Sequence, residues 1–373
     1  MNKPIGEITL NTLFDRYPLL PELPQYNGKW SYDIGVVLQG VKLAYQQTND
    51  RQYLDYIKAT MALYIQADGS IRNYEYEHFN LDSINNGKSA LFLFEQTGDQ
   101  KYKLACDQLY QQLQNMPRTT DGGFWHKQIY PQQMWLDGLY MAEPFYAEYI
   151  LKFRPRSEMA DVVQQFTLAY QHTLDEKTGL LYHAWNEDRQ QPWADPKTGH
   201  SPHFWGRAIG WYLMGLVDTY EIIRAEFPKE AQQLQAIFLK TMVPLRSYRS
   251  GIYRAWYQVV DAGERHGNYL EASASAMIVY AMEKAARLSI LTPDWQVFIK
   301  DSYQGLLDNF VFYTKEGWLN LVRNCQVAGL GGADQRDGSF VYYISEPIIT
   351  NDFKGYGAFL LAALEADPLV SRI

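Results

Sequence analysis

Gly122–Met141 reads G-G-F-W-H-K-Q-I-Y-P-Q-Q-M-W-L-D-G-L-Y-M. A glycine turn runs into aromatics, then into apolar residues at helical spacing. Met134, Trp135, Leu139, Met141, Phe145, Tyr146 and Ile150 fit one long, mostly buried helix from Gln132. Pro131 suits its first turn, where a missing N–H costs nothing. On this reading Asp137 lies about two turns in, beyond the reach of the helix dipole. A carboxylate set there among Trp135, Leu136 and Leu139 is either desolvated for use or buried at a cost.

The same punctuation recurs along the chain. Glycine-centred turns stand at Gly69 (D-G-S-I-R-N-Y), Gly123, Gly179 (K-T-G-L-L-Y-H-A-W), Gly251 (R-S-G-I-Y-R-A-W-Y), Gly317 (K-E-G-W-L-N-L-V) and Gly338 (D-G-S-F-V-Y-Y). The first five are 54, 56, 72 and 66 residues apart, room for two helices and their connections in each interval. The intervals divide into helix pairs at 35–47 and 51–65, 83–97 and 101–116, 132–153 and 158–172, 205–227 and 230–246, and 270–288 and 295–313. A last helix spans 356–365. Stretches such as E-A-S-A-S-A-M and L-A-A-L-E-A favour helix over strand. Six hairpins of this kind predict an all-α fold, an (α/α)6 barrel with the first helix of each pair inside. The glycine–aromatic loops would gather at one end as short strand-like segments. No linker or low-complexity segment divides the chain, so one catalytic domain over 1–373 is expected.

Composition narrows the function. Of the 373 residues, 47% are hydrophobic, enough for an ample core. The net charge of -8 argues against a polyanionic partner such as nucleic acid. Aromatics reach 15%, including 29 Tyr and 10 Trp, which suits a carbohydrate cleft as well as a packed wall. Cys106 and Cys325 are the only cysteines, so no disulfide framework and no C-x-x-C metal pair is expected. The first sixteen residues lack the apolar core of a secretory signal, and no apolar run reaches membrane-spanning length. A cytoplasmic enzyme is expected, monomeric or weakly homo-oligomeric, with a small oligosaccharide as its partner.

The motif W-H-K-x-x-Y-P-x-Q-M-W-L-D-G-L-Y-M, from Trp125, resembles the unsaturated rhamnogalacturonyl hydrolases of glycoside hydrolase family 105. Weaker matching segments follow in family order: L-D-S-I-N-N-G from Leu81, L-Y-H-A-W-N-E from Leu181, S-P-H-F-W-G-R-A-I-G-W-Y from Ser201, G-N-Y-L-E-A-S from Gly267 and T-N-D-F-K-G-Y-G-A-F from Thr350. The resemblance runs from Trp30 to the last helix. It implies hydration of the C4–C5 double bond that polysaccharide lyases leave on a terminal uronic acid, from pectin or rhamnogalacturonan. C4 of the enol ether is protonated, water adds at C5, and the hemiketal opens to release the next sugar. This departs from the usual two-carboxylate scheme, and it needs no cofactor and no metal.

The resemblance makes Asp137 the general acid/base, a role that calls for a carboxyl tuned upward by desolvation. Gly138 costs about 1 kcal/mol in a helix relative to Ala, which fits a close approach to the backbone there. Asp82 matches the acid that faces the unsaturated sugar, although a helix N-cap is its simpler use. His126, Lys127, Tyr130 and Trp135 belong to the same matched stretch as Asp137. Arg207 and Trp211, four apart, share a helix face and match substrate contacts. Trp30, Ser31 and Tyr32 map to a further contact, with Ser31 where a larger polar residue is usual. His183 and Trp185 rim the pocket or stack structurally. His200 and His203, three apart, lack a third metal ligand and read as structural. Asp352 and Lys354 match a family segment without an evident role. The alternatives are an unsaturated glucuronyl hydrolase, an inverting glycosidase using Asp82 and Asp137, a sugar epimerase, and a binding module without catalysis.

Overall fold

The computed structural model describes residues 3–23 and 25–370. In chain order its helices are α1 (Ile5–Arg16), α2 (Tyr32–Thr48), α3 (Arg51–Ala62), α4 (Gly87–Thr97), α5 (Gln100–Gln114), α6 (Leu136–Phe153) and α7 (Met159–Thr173). There follow α8 (Gly206–Ile223), α9 (Pro228–Arg246), α10 (Ala272–Arg287), α11 (Gln296–Phe310), the short α12 (Phe340–Ser345) and α13 (Phe353–Ala366). Three two-stranded antiparallel ribbons complete the picture: β1 (Gln133–Trp135) with β2 (Ala184–Asn186), β3 (Val311–Tyr313) with β4 (Leu319–Leu321), and β5 (Asn324–Cys325) with β6 (Ile348–Ile349).

Helices α2, α4, α6, α8, α10 and α13 pack side by side in that order, and α13 returns to α2, closing an inner ring. Outside them lie α3, α5, α7, α9, α11 and α1, each against its inner partner. This is an (α/α)6 barrel. The two layers are legible in the residues. α13, F-K-G-Y-G-A-F-L-L-A-A-L-E-A, is apolar all round and buried from Phe353 to Glu365, as a helix covered on every side must be. α3 buries only Tyr53, Ile57, Thr60 and Met61, the single stripe of an outer helix. Burying Ile57 and Met61 contributes roughly 1.5–3 kcal/mol each. Asp50 caps α3 by accepting from the Gln52 N–H, and Asp99 caps α5 through the Lys101 N–H. At the closing seam a Cβ on Gly357 would stand 2.8 Å from the Val36 backbone, so only glycine lets α13 and α2 approach this closely.

Four sequence expectations need correction. The helix expected from Gln132 begins at Leu136. Gln132 has φ +57°, and residues 133–135 pair with 186–184 as a ribbon instead. Tertiary pairing overrides the helical periodicity there, and Asp137 therefore sits in the first turn of α6, not two turns in. Asp82 does not open α4, which begins at Gly87; it lies in a 3-10 turn over 81–84, whose cap is Asn80 accepting from the Asp82 N–H at 3.0 Å. The last inner helix starts at Phe353 rather than Tyr356, with Asp352 as its cap. Finally, α1 is absent from the expected pairs. The sixth hairpin is made from the two ends of the chain: the Tyr356 hydroxyl donates to Thr9 O at 2.8 Å, and the Leu319 N–H donates to Thr12 Oγ1 at 3.0 Å. No helix among the described residues is long and apolar enough to cross a membrane.

Candidate active site

The N-terminal ends of the inner helices converge at one end of the barrel, its mouth. There Arg207 of α8 donates to Ser273 of α10 at 2.6 Å, Asn86 before α4 donates to Ser31 O before α2 at 3.0 Å, and Lys354 of α13 lies 4.0 Å from Asp33 of α2. The β1–β2 ribbon sets the geometry. The Leu136 N–H donates to His183 O at 3.1 Å, which brings the His183 side chain beside Asp137. His183 Nε2 lies 3.3 Å from Asp137 Oδ2, and its Nδ1 lies 2.8 Å from the Tyr343 hydroxyl. His183 is fully buried, whereas Asp137 keeps 14% of its side chain exposed toward the mouth.

Asp82 stands in a different environment. Lys127 Nζ is 2.6 Å from its Oδ2, and His126 Nε2 is 3.7 Å from its Oδ1. Burial pushes the Asp82 carboxyl up, but Lys127 and His126 outweigh it and hold it below the usual carboxylate value. Lys127 is shifted the other way: burial lowers it and Asp82 more than restores it, so the ammonium persists. His126 is lowered to about 4, mainly by burial, and is neutral near pH 7. Its Nδ1 has no hydrogen-bond partner. Both His126 and Lys127 also feel the charge of Asp137.

Three rings lie parallel at this mouth. Trp135 is parallel to His126 (4.8 Å, 9°) and to Tyr130 (4.8 Å, 12°), which are themselves parallel at 6.4 Å, and it meets His183 edge-on at 5.2 Å. With Ala184, Trp193 and Leu330, Tyr130 and Trp135 make a small apolar cluster separate from the barrel core. The Tyr130 hydroxyl accepts from Arg336 at 2.9 Å. Gly138 gives His126 its room, since a Cβ there would lie 3.1 Å from His126 Nδ1 and 2.7 Å from Leu81 Cδ1.

The structure thus gathers Asp82, His126, Lys127, Tyr130, Trp135, Asp137 and His183. Other expected contacts lie behind them. Arg207 is 1% exposed and fully engaged: its Nε donates to Ser273 Oγ at 2.6 Å, its guanidinium donates to Cys325 O, and Glu271 Oε1 lies 3.6 Å away. Trp211 is 1% exposed, stacked on Tyr140 at 4.8 Å and met edge-on by Tyr32. Trp30 is buried, its indole donating to Ser83 O at 2.8 Å. Ser31 precedes α2 without capping it, its hydroxyl donating to Asp33 Oδ1 at 2.6 Å, and Tyr32 is the helix's first residue. His200 stacks on Tyr182, and His203 meets Phe340 edge-on. Trp185 stacks on His172 at 3.8 Å. Lys354 pairs with Asp352 at 2.8 Å, an ion pair at the start of α13. Among the described residues no group of His, Cys, Asp and Glu is placed to hold a metal, and Cys106 and Cys325 are free and buried. Residues that sequence reasoning missed are Tyr343, Trp193 and Arg336. Tyr343 had a signal, the last glycine–aromatic turn D-G-S-F-V-Y-Y; the other two come from irregular loops that carry none.

Comparison with known proteins agrees with this architecture. The model of Glycosyl Hydrolase Family 88 matches residues 13–370. A solved family 105 glycoside hydrolase from C. acetobutylicum is 45% identical, covers 97% of this chain and 99% of its own, and superposes with a TM-score of 0.93. Protein Atu3128 of Agrobacterium fabrum is 34% identical over 232 residues, 61% of this chain and 98% of its own length. The unsaturated rhamnogalacturonyl hydrolase YesR of Bacillus subtilis is 25% identical over 296 residues, 76% of this chain and 77% of its own. The chain therefore belongs to the glycosyl hydrolases of families 88 and 105, and it is a glycosidase.

Proposed function

We propose that this glycosidase removes a 4,5-unsaturated uronic acid from lyase-generated oligosaccharides, with unsaturated galacturonate linked to rhamnose as its substrate. The chain works as one catalytic domain. Asp137 protonates C4, a water adds to C5 as Asp137 takes its proton back, and the resulting hemiketal opens to free the next sugar.

The observation that carries this reading is the asymmetry of the two carboxylates. Asp82 is held ionised by Lys127, so it has no proton to give. Asp137 has only His183 within ion-pair reach among the described residues, and faces the mouth. Two acids pushed into different environments are a sign of divided roles. The first-turn position on α6 also stabilises the carboxylate left after proton delivery, by about 0.3–1 kcal/mol. Six inner-helix N-termini at the same mouth favour an anionic sugar despite the chain's net negative charge. The parallel rings of Tyr130, Trp135 and His126 make a packed wall beside the two carboxylates, and Asp82 with Lys127 orients the uronate.

The test is a screen of lyase-generated disaccharides, unsaturated galacturonyl-rhamnose first, following loss of the conjugated ultraviolet absorbance. Asp137→Asn should abolish turnover and leave binding largely intact. Turnover of a saturated disaccharide would overturn the hydration mechanism. Faster turnover of an unsaturated glucuronyl disaccharide would overturn the assigned sugar.

A further inference from the structure

Tyr343 lies 160 residues from His183 in sequence, yet its hydroxyl is 2.8 Å from His183 Nδ1. It sits on α12, which Ser339 caps by accepting from the Tyr342 N–H. Gln258 Nε2 donates to Tyr343 O at 3.0 Å, and the ring packs against Trp205 at 6.0 Å and 28°. Both Tyr343 and His183 are fully buried. Burial raises the Tyr343 hydroxyl well above the ordinary phenol value, so it keeps its proton and can donate. On the far side of the imidazole, His183 Nε2 and Asp137 Oδ2 stand 3.3 Å apart but out of line for a hydrogen bond, and neither atom has a hydrogen-bond partner among the described residues. Contacts of this kind are commonly long without substrate and tighten when it binds.

We infer that Tyr343 is a positioning residue for the reaction proposed above, acting on Asp137 through His183. A Tyr343 O–H donated to Nδ1 leaves the neutral imidazole with its one N–H on Nε2, the nitrogen nearest Asp137 Oδ2, which needs only a small realignment on substrate binding to receive it. Oδ2 is then an acceptor, so the carboxyl proton is confined to Oδ1, the oxygen left for the substrate. When that proton moves to C4, the same N–H stabilises the new carboxylate. With the opposite tautomer the lone pair of Nε2 would face Asp137, and the carboxyl O–H would point at His183 instead of at the sugar. The inference rests on Asp137 being the proton donor.

Tyr343→Phe removes one oxygen and keeps the ring. It should lower kcat by at least ~10-fold with KM nearly unchanged, since an orienting partner acts on the transition state. In the wild-type protein the 15N signals of labelled histidine should show His183 as the Nε2–H tautomer, and in Tyr343→Phe as a mixture. Adding Tyr343→Phe to His183→Gln should change kcat no further. A Tyr343→Phe enzyme with wild-type kcat would overturn the inference, as would a wild-type His183 carrying its proton on Nδ1. The tautomer measurement on the wild-type protein decides even if the variant folds poorly. Full activity in Asp137→Asn would instead overturn the proposed function itself, whereas an inactive Asp137→Asn beside an unaffected Tyr343→Phe refutes only the role of Tyr343.

Discussion

Lys127 Nζ sits 2.6 Å from Asp82 Oδ2 with both side chains mostly covered, and this ion pair is what makes the two carboxylates of the mouth unequal. Lys127→Met should leave Asp82 with a charge it cannot share. Unpairing a fully buried partner costs about 3–5 kcal/mol, and the partial exposure here reduces that to about 2 kcal/mol. Urea titration at neutral pH measures it, and adding Asp82→Asn should recover part of the loss. The pH direction follows from Asp82 being held below its usual value. The contribution of the pair is complete above the unfolded value near 3.9 and is lost as pH falls through the lower folded value.

His126 also loses stability on acidification, but in a higher pH window and for a different reason. Its imidazole is lowered to about 4 by burial, so between about 6.5 and 4 the unfolded chain binds a proton that the native state refuses. Stability is therefore full above pH 6.5 and declines on the way to pH 4, by on the order of 3 kcal/mol for this group. The wild type should lose more stability than His126→Gln when moved from pH 7 to pH 4.5. Parallel losses would contradict the neutral buried imidazole.

Gly138→Ala separates packing from activity. Alanine gains about 1 kcal/mol of helix propensity, while its methyl meets Leu81 Cδ1 and presses on His126. The end of the Leu81 side chain can move, so the melting temperature should shift little. His126 cannot yield without disturbing Trp135 and Asp82, and turnover should fall roughly tenfold, as catalytic groups tolerate little displacement. Unchanged turnover would show that His126 has slack.

Arg207 serves the scaffold in this structure. It neutralises Glu271, which is 0% exposed and caps α10 through the Ala274 N–H. Arg207→Met should cost about 3–5 kcal/mol, the penalty of a buried charge left unpaired, and Arg207→Met with Glu271→Gln should cost less. If Arg207 chiefly gripped substrate, stability would hold and KM would rise.

The barrel could be read from the chain because inner helices such as α13 are apolar on nearly every side and outer helices such as α3 carry one stripe, patterns that local sequence records directly. The segment 132–135 misled because Met134 and Trp135 continue the periodicity of α6, while their actual partners, Trp185 and Ala184, are some fifty residues away. α1 escaped because its partner lies at the other end of the chain. At the site, the motif around Asp137 brought out the residues on that loop and helix. It could not show that Arg207 and Trp211 are sealed behind Ser273, Glu271 and Tyr140, because saturation by neighbours is a property of packing. Nor could it place Tyr343, whose contact with His183 exists only once the ring has closed.

The pairing of α1 with α13 has a consequence for how the protein comes into being. A solenoid of helical hairpins can grow or shrink one repeat at a time, since each unit touches only its neighbours. Here the inner wall becomes a circle only when α13 meets α2, and α1 then seals the seam from outside. Contacts such as Thr9–Tyr356 join residues 347 positions apart and pay their loop entropy late. During synthesis the nascent chain must wait as an open arc, its aromatic mouth unfinished, until α13 has been made.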